Sequence, residues 1–166
     1  MLKPAQLYAE ELTRKFLEVA YNEDYMFYNS GWMNKYIPSE DTWHMHEFVS
    51  IYNGEVIGYI SYDIDQRSQN VTNFRMINFT NNKCTFALDI IKVLHDIFYK
   101  YSYNKINFGA YVGSPAEKIY DKFINKYGGR VIGTYEMESK LLDGRFYDFK
   151  IYEIMNKYSN IYQIRV

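Results

Sequence analysis

The chain has 166 residues, of which 48% are hydrophobic, and no Pro/Gly/Ser-rich stretch or change of composition divides it. A chain of this length can bury a sizeable core, so we expect one domain covering residues 1–166. The 19 basic residues are scattered and are offset by 20 acidic residues, for a formal net charge of −1. That balance argues against a nucleic-acid-binding surface and against a polybasic patch that binds membranes.

The sequence also bears on where the protein works. It shows no apolar run long enough to span a bilayer, and its first residues lack the uninterrupted apolar segment of a signal peptide. Its single cysteine, Cys84, excludes an intrachain disulfide bond. We therefore expect a cytoplasmic protein.

The N-terminal quarter predicts a helix followed by an irregular aromatic segment. Residues 4–20 place apolar side chains at helical spacing, with charged side chains mostly elsewhere. Residues 21–42 are rich in aromatic residues, including Tyr25 and Trp32, and leave room for one short helix.

Three strands follow. Met45–Tyr52 and Glu55–Asp63 predict a hairpin, because the Asn53-Gly54 pair between them suits a type I′ turn that needs positive φ at both positions. Asn70–Thr80 predicts a third strand with partial alternation.

A helix over Thr85–Tyr101 and a strand over Lys105–Val112 come next. The first turn of a helix presents unpaired N–H groups, so the junction before Thr85 can hold a phosphate. Asn81 and Asn82 tolerate left-handed dihedrals, and Lys83 adds a positive charge. The alternative is an ordinary strand-to-helix loop with a solvated lysine.

The next helix has well-marked ends. Ser114 can cap it, Pro115 suits its first position, and Glu117 completes a capping box, while Gly128-Gly129 ends it. Residues 130–140 and 146–156 then predict a hairpin across Asp143-Gly144. The tail from residue 157 to 166 stays unplaced, although its strand-like residues can pair with a neighbour's sheet edge in a homodimer.

Several of these segments resemble one known family. They are Ile119-Tyr120-Asp121-Lys122-Phe123, Tyr127-Gly128-Gly129, Ile132-Gly133, the run from Leu142 to Asp148, and the hairpin Glu55-Val56-Ile57-Gly58-Tyr59-Ile60. The ordered set resembles the GCN5-related N-acetyltransferases, nearest to the branch that acetylates ribosomal-protein N-termini and small amines. The resemblance covers roughly residues 44–155.

The resemblance implies an α+β fold with a mixed, mostly antiparallel central sheet and helices on both faces. Its fourth and fifth strands splay apart, and the pantetheine arm of acetyl-CoA lies in the gap like an added strand. It implies an oxyanion site at a fourth-strand amide near Ile77 or Asn78. The pyrophosphate lands on the amides of residues 81–86. The implied acetyl-CoA contacts are Ile77, Asn78, Phe79, Asn81, Asn82, Lys83, Cys84, Thr85, Phe86, Gly113 and Ser114.

The sequence departs from the family in two places. Asn81, Asn82 and Cys84 align with the arginine and two glycines of the phosphate loop, and Gly113 replaces an asparagine that reaches the pantetheine. Glycine allows the backbone to approach a phosphate closely. These departures support an alternative interpretation: a non-catalytic binding or interaction module with a degenerate CoA loop.

By resemblance, Tyr120 is the general acid that protonates the departing thiolate, and a phenol can supply such a proton. The alternative is a core tyrosine on the buried face of its helix. The family varies its base. Glu47, Asp63 and Asp65 are candidates, of which we choose Glu47; surface carboxylates with ordered water as the proton acceptor are the alternative.

The predicted acceptor site lies between the aromatic N-terminal segment, with Tyr25 and Trp32, and the hairpin residues Glu47, Tyr62 and Asp63. Aromatic lining suits an ammonium group, so the expected substrate is a small amine or a peptide N-terminus. We predict no metal site. His44 and His46 share one strand face, but only His95 and Cys84 remain as further soft ligands, far away in sequence.

Overall fold

The structure is a computed structural model that describes residues 1–28, 43–80 and 83–158. Trp32, Asn81 and Asn82 therefore lie outside the described residues. The strands are β1 Leu2–Pro4, β2 Met45–Tyr52, β3 Glu55–Asp65, β4 Asn70–Asn78, β5 Lys105–Tyr111, β6 Gly129–Lys140 and β7 Phe146–Met155. The helices are α1 Ala9–Val19, α2 Lys83–His95, which continues as a π-helical turn over Asp96–Lys100, and α3 Pro115–Tyr127. Short 3₁₀ turns occupy Ala5–Tyr8, Glu23–Tyr25 and Asn156–Tyr158.

The described strands form one sheet in the order β1-β2-β3-β4-β5-β7-β6. β4 and β5 pair in parallel, and the other neighbours pair antiparallel. One apolar core joins α1 to the face that carries Val49, Tyr59 and Ile77. A larger core joins α2 and α3 to the opposite face. The predicted mixed, mostly antiparallel sheet with helices on both faces is confirmed.

Local turn signals are confirmed as well. Asn53 and Gly54 have φ of 50° and 84°, as a type I′ turn requires. The long helix begins at Lys83, two residues before the predicted start. The prediction missed β1, which pairs with β2 from Leu2 opposite Ser50, because three residues are too few to show alternation.

The start of α3 is built as its sequence predicts, with one difference. The Ser114 hydroxyl accepts a hydrogen bond from the Glu117 N–H at 3.2 Å. The Glu117 carboxylate reaches the N–H of Gly113 at 2.8 Å, one residue before the position that a capping box uses. Gly128 ends the helix with φ of 83°. Both ends of the helix that carries Tyr120 are therefore fixed by local contacts.

A bulge interrupts β4 at the centre of the sheet, just before its last pair with β5. Between the pairs Val71–Ile106 and Phe74–Phe108, β4 advances three residues while β5 advances two. Asn73 in the bulge has φ of 50°, and its side-chain amide donates to the Asp63 carboxylate at 2.6 Å. A bulge bends its strand and increases the local twist. No β4–β5 pair follows Phe74–Phe108 in the described strands, so the two strands part from that point.

Candidate active site

The parted strands open a cleft of about 660 Å³, which we call the fork cleft. Strand residues on both sides of the gap, the first turns of α3 and the segment after α1 line it. The lining residues are Phe27, Tyr28, Tyr59, Thr72, Asn73, Phe74, Arg75, Met76, Ile77, Asn107, Phe108, Gly109, Ala110, Tyr111, Ser114, Ala116, Tyr120, Tyr135, Phe149 and Ile151.

Two backbone amides of β4 face the gap. The Phe79 N–H donates to the Ile57 carbonyl at 2.9 Å, and the same register pairs Tyr59 with Ile77. Because hydrogen-bonded pairs alternate along antiparallel strands, the Ile77 amide faces β3, and the amides of Met76 and Asn78 face the gap. Of the two amides predicted for the oxyanion site, the geometry therefore favours Asn78 over Ile77.

Tyr120 lines the fork cleft from α3. Its ring packs edge-on against Phe108 and Tyr152, with ring centres 5.0 Å and 5.7 Å apart. Burial raises the pKa of the Tyr120 phenol well above its usual value of 10, and Tyr28 and Tyr152 raise it further. The hydroxyl is therefore protonated at neutral pH, as a proton donor must be. Tyr120 therefore lines the cleft, and its role as the general acid stays a prediction.

Glu47 lies behind the wall of the cleft. The residue is 5% exposed, and its carboxylate accepts a hydrogen bond of 2.6 Å from the hydroxyl of Tyr59, which itself lines the cleft. The prediction placed Glu47 facing the acceptor cleft. In the structure, the side chain of Tyr59 lies between Glu47 and the open space. Sequence reasoning missed Tyr59, since only the folded hairpin shows that its hydroxyl reaches Glu47.

The other predicted acceptor residues are not brought together. Tyr62 is 2% exposed and packs in the α2–α3 core, with its ring stacked 6.2 Å from that of Phe74. Neighbouring residues on a strand point to opposite faces, so Tyr62 and Asp63 do not share one site. Tyr25 packs beside the α1 core and does not line the cleft. The prediction that Tyr25, Tyr62 and Asp63 share one acceptor site is therefore corrected.

The first turn of α2 stands where the pyrophosphate site was predicted. Lys83 and Cys84 are exposed there, and Thr85 is half-buried. The Phe86 ring is buried against Gly58, where an added Cβ would clash with the ring. At this turn the backbone amides, rather than most side chains, are the groups offered to a ligand.

Three further residues predicted to contact acetyl-CoA differ in whether they are available to a ligand. Ser114 lines the cleft, but the Gly113 N–H is already bonded to Glu117. The Phe79 amide is likewise used by β3, and its ring packs against Phe16 at 5.3 Å.

Sequence reasoning also missed polar groups inside the cleft. The side-chain oxygen of Asn107 is buried and has no hydrogen-bond partner in the described structure. Arg75 lines the cleft from β4. The sequence signal available for Asn107 was a polar residue within an otherwise apolar strand. That signal points to a binding site only once the parting of β4 and β5 is known.

Comparisons with known proteins identify the fold. No family model and no curated protein sequence matches the chain. A solved structure of a mutant of the spermidine N-acetyltransferase SpeG from Vibrio cholerae superposes with a TM-score of 0.70 at 22% identity, over 98% of each chain. A GCN5-related N-acetyltransferase from Brucella melitensis gives 0.63 at 14% identity, over 94% of this chain and 75% of its own. The fold is thus that of the GCN5-related acetyltransferases, as the resemblance implied.

Proposed function

We propose that the protein is an N-acetyltransferase that moves an acetyl group from acetyl-CoA to a primary amine of a small molecule or peptide. The parting of β4 and β5 beside Tyr120 is the observation that carries this proposal. An opened strand pair offers one row of backbone amides to an extended ligand, as in β-strand addition. The acetyltransferases that share the fold support the proposal.

The residues present fit acetyl-CoA. The Met76 and Asn78 amides can bond the amide groups of a pantetheine arm. The first turn of α2 from Lys83 can hold the pyrophosphate through its N–H groups and the positive end of the helix dipole. Cys84, which stands at a glycine position of the family, is exposed, and its backbone amide remains part of that turn.

Backbone and side-chain groups of the cleft can carry out each step of a direct transfer of the acetyl group to the amine. The Asn78 amide polarises the thioester carbonyl, and the amine attacks the carbonyl carbon. Tyr120 donates its phenolic proton to the sulfur as the carbon–sulfur bond breaks. Tyr59 takes a proton from the amine and passes its own to Glu47 along their 2.6 Å hydrogen bond.

Calorimetric titration with acetyl-CoA tests the proposal. We expect saturable binding with a Kd below about 1 mM, and thioester cleavage that accelerates when an amine is added. Ala116→Trp fills the cleft and should abolish binding, whereas Ile119→Trp, on the same helix but exposed, should bind like the wild type. Absence of binding by the folded wild-type protein at millimolar acetyl-CoA contradicts the proposal and favours the non-catalytic module.

A further inference from the structure

The charge inside the fork cleft bears on the kind of amine that it accepts. Among its lining residues, Arg75 is the one with a formal charge at neutral pH. Two carboxylates adjoin the cleft, and each is hydrogen-bonded to a lining residue: Glu47 to Tyr59, and Asp63 to Asn73. Within the described residues, no carboxylate lies at ion-pair distance from the Arg75 guanidinium. A cleft with this charge favours an anion over a polycation.

Arg75 lies on the acceptor side of the gap. Arg75 is exposed and pairs with Ser61 on β3, and alternation along β4 puts it on the same face as Ile77, which packs in the α1 core. Tyr28 and Tyr59 line the cleft on this side. The first turn of α2, where the pyrophosphate is proposed, lies past the other end of β4, beyond Asn78.

Asn107 supplies a second, independent observation. It lines the cleft from β5, next to the last β4–β5 pair at Phe74–Phe108, and so lies near Arg75 at the closed end of the fork. Its side-chain oxygen is buried without a partner in the described structure. Leaving a buried acceptor without a hydrogen bond destabilises the folded protein, and a ligand N–H or O–H donor removes that cost.

We propose that the acceptor is an amine that also carries an anionic group, a carboxylate or a phosphate, with Arg75 binding the anion and Asn107 accepting a hydrogen bond from an N–H or O–H of the same molecule. Arginine suits this task because its planar fork of donors matches both anions. This inference rests on the proposed acetyl transfer. It sets the expected acceptor apart from spermidine, the substrate named for one structural neighbour.

Matched acceptor pairs test the proposal. One pair is an α-amino acid and its carboxamide, and the other is phosphoethanolamine and ethanolamine. We expect the anionic member of one pair to have a kcat/KM at least about tenfold higher, since charge-assisted hydrogen bonds are the stronger ones. The pair that responds distinguishes carboxylate from phosphate. Equal rates within both pairs, or a preference for spermidine over all four, overturns the proposal.

Two variants test which residues produce the preference for an anionic acceptor. Arg75→Gln should raise the KM for the anionic acceptor about tenfold or more and leave the KM for acetyl-CoA unchanged, while Asn107→Leu should lower kcat/KM for the same acceptor. Arg67→Gln, an exposed arginine outside the cleft, is the control. A change confined to the KM for acetyl-CoA places Arg75 on the cofactor and overturns the proposal. Calorimetry with acetyl-CoA separates failure of this inference from failure of the proposed function. If the wild type does not bind acetyl-CoA, the proposed function is wrong as well.

Discussion

At the scale of single residues, the fork cleft depends on side chains whose surroundings change their chemistry. Burial raises the pKa of the Tyr120 phenol, Tyr28 and Tyr152 raise it further, and the Tyr120 ring packs edge-on against Phe108. Glu47 is buried and oriented by the hydroxyl of Tyr59. Both are ordinary residue types, and packing alone sets them apart from the many other tyrosines and carboxylates of this chain.

Tyr120→Phe removes the proposed proton donor and leaves the ring. We expect kcat for acetyl transfer to fall about 100-fold, the lower range for a general acid, with little change in acetyl-CoA binding. Steady-state kinetics measure it, and Tyr127→Phe, on the same helix but outside the cleft, is the control. A kcat within a factor of about two of the wild-type value would remove Tyr120 from the mechanism.

The raised pKa of Tyr120 also predicts how kcat depends on pH. Because burial holds the folded-state pKa above 10, the phenol keeps its proton throughout the neutral and mildly alkaline range. We therefore expect no loss of kcat assignable to Tyr120 between about pH 7 and about pH 9.5. A fall in that interval which disappears in Tyr120→Phe would show that the phenol ionises there.

At the scale of elements, α2 is positioned by a close approach to the sheet. The Phe86 ring, in the first turn of α2, lies against the backbone of Gly58, where a Cβ would also lie 2.9 Å from the Ile77 carbonyl. Glycine at position 58 therefore sets how near the proposed phosphate-binding turn comes to β3 and β4.

Gly58→Ala should force the Phe86 ring away and tilt the start of α2. We expect a loss of about 1–3 kcal/mol in the free energy of unfolding, as for other overpacked sites, and weaker acetyl-CoA binding. Denaturant melts and calorimetry measure the two effects. Gly133→Ala is the matched control, because a Cβ there meets nothing within 4 Å. Equal stability of the two variants would contradict the proposed role of the contact.

At the scale of the whole molecule, an ionic cluster joins the three strands on the far side of the fork. The Glu153 carboxylate on β7 bonds Arg130 on β6 at 2.7 Å and Lys105 on β5 at 3.2 Å. Burial raises the pKa of Glu153, but the two cations more than offset that effect, so its pKa lies below the ordinary value. The cluster therefore stabilises the fold wherever Glu153 is ionised.

This lowered pKa predicts acid sensitivity with a definite sign. A carboxylate whose pKa is lower in the folded state adds stability above its unfolded pKa of 4.5, and that stability is lost as the pH falls through the folded value. Glu153→Gln should cost about 1 kcal/mol at neutral pH and flatten the loss of unfolding free energy between about pH 5 and about pH 3. The exposed Glu138→Gln is the control, and parallel curves for Glu153→Gln and wild type would refute the assignment.

The sequence by itself determined the features that depend on a few neighbouring residues. The Asn53-Gly54 turn, the Ser114 cap and the Gly128 stop are set by local dihedral preferences and short-range hydrogen bonds, so they appear where the residues predict them. The ordered set of such signals, read with the family resemblance, was enough to predict the order of the elements from β2 onward.

Tertiary structure alone decided which side chains meet in the fork cleft. A one-residue bulge at Asn73 parts β4 from β5 and depends on partners on two other strands. Tyr62, predicted for the acceptor site, lies in the opposite core, whereas Arg75 and Asn107 lie in the cleft. These contacts join residues far apart along the chain, and strand register, which shifts by one residue at each bulge, determines the face on which each side chain lies.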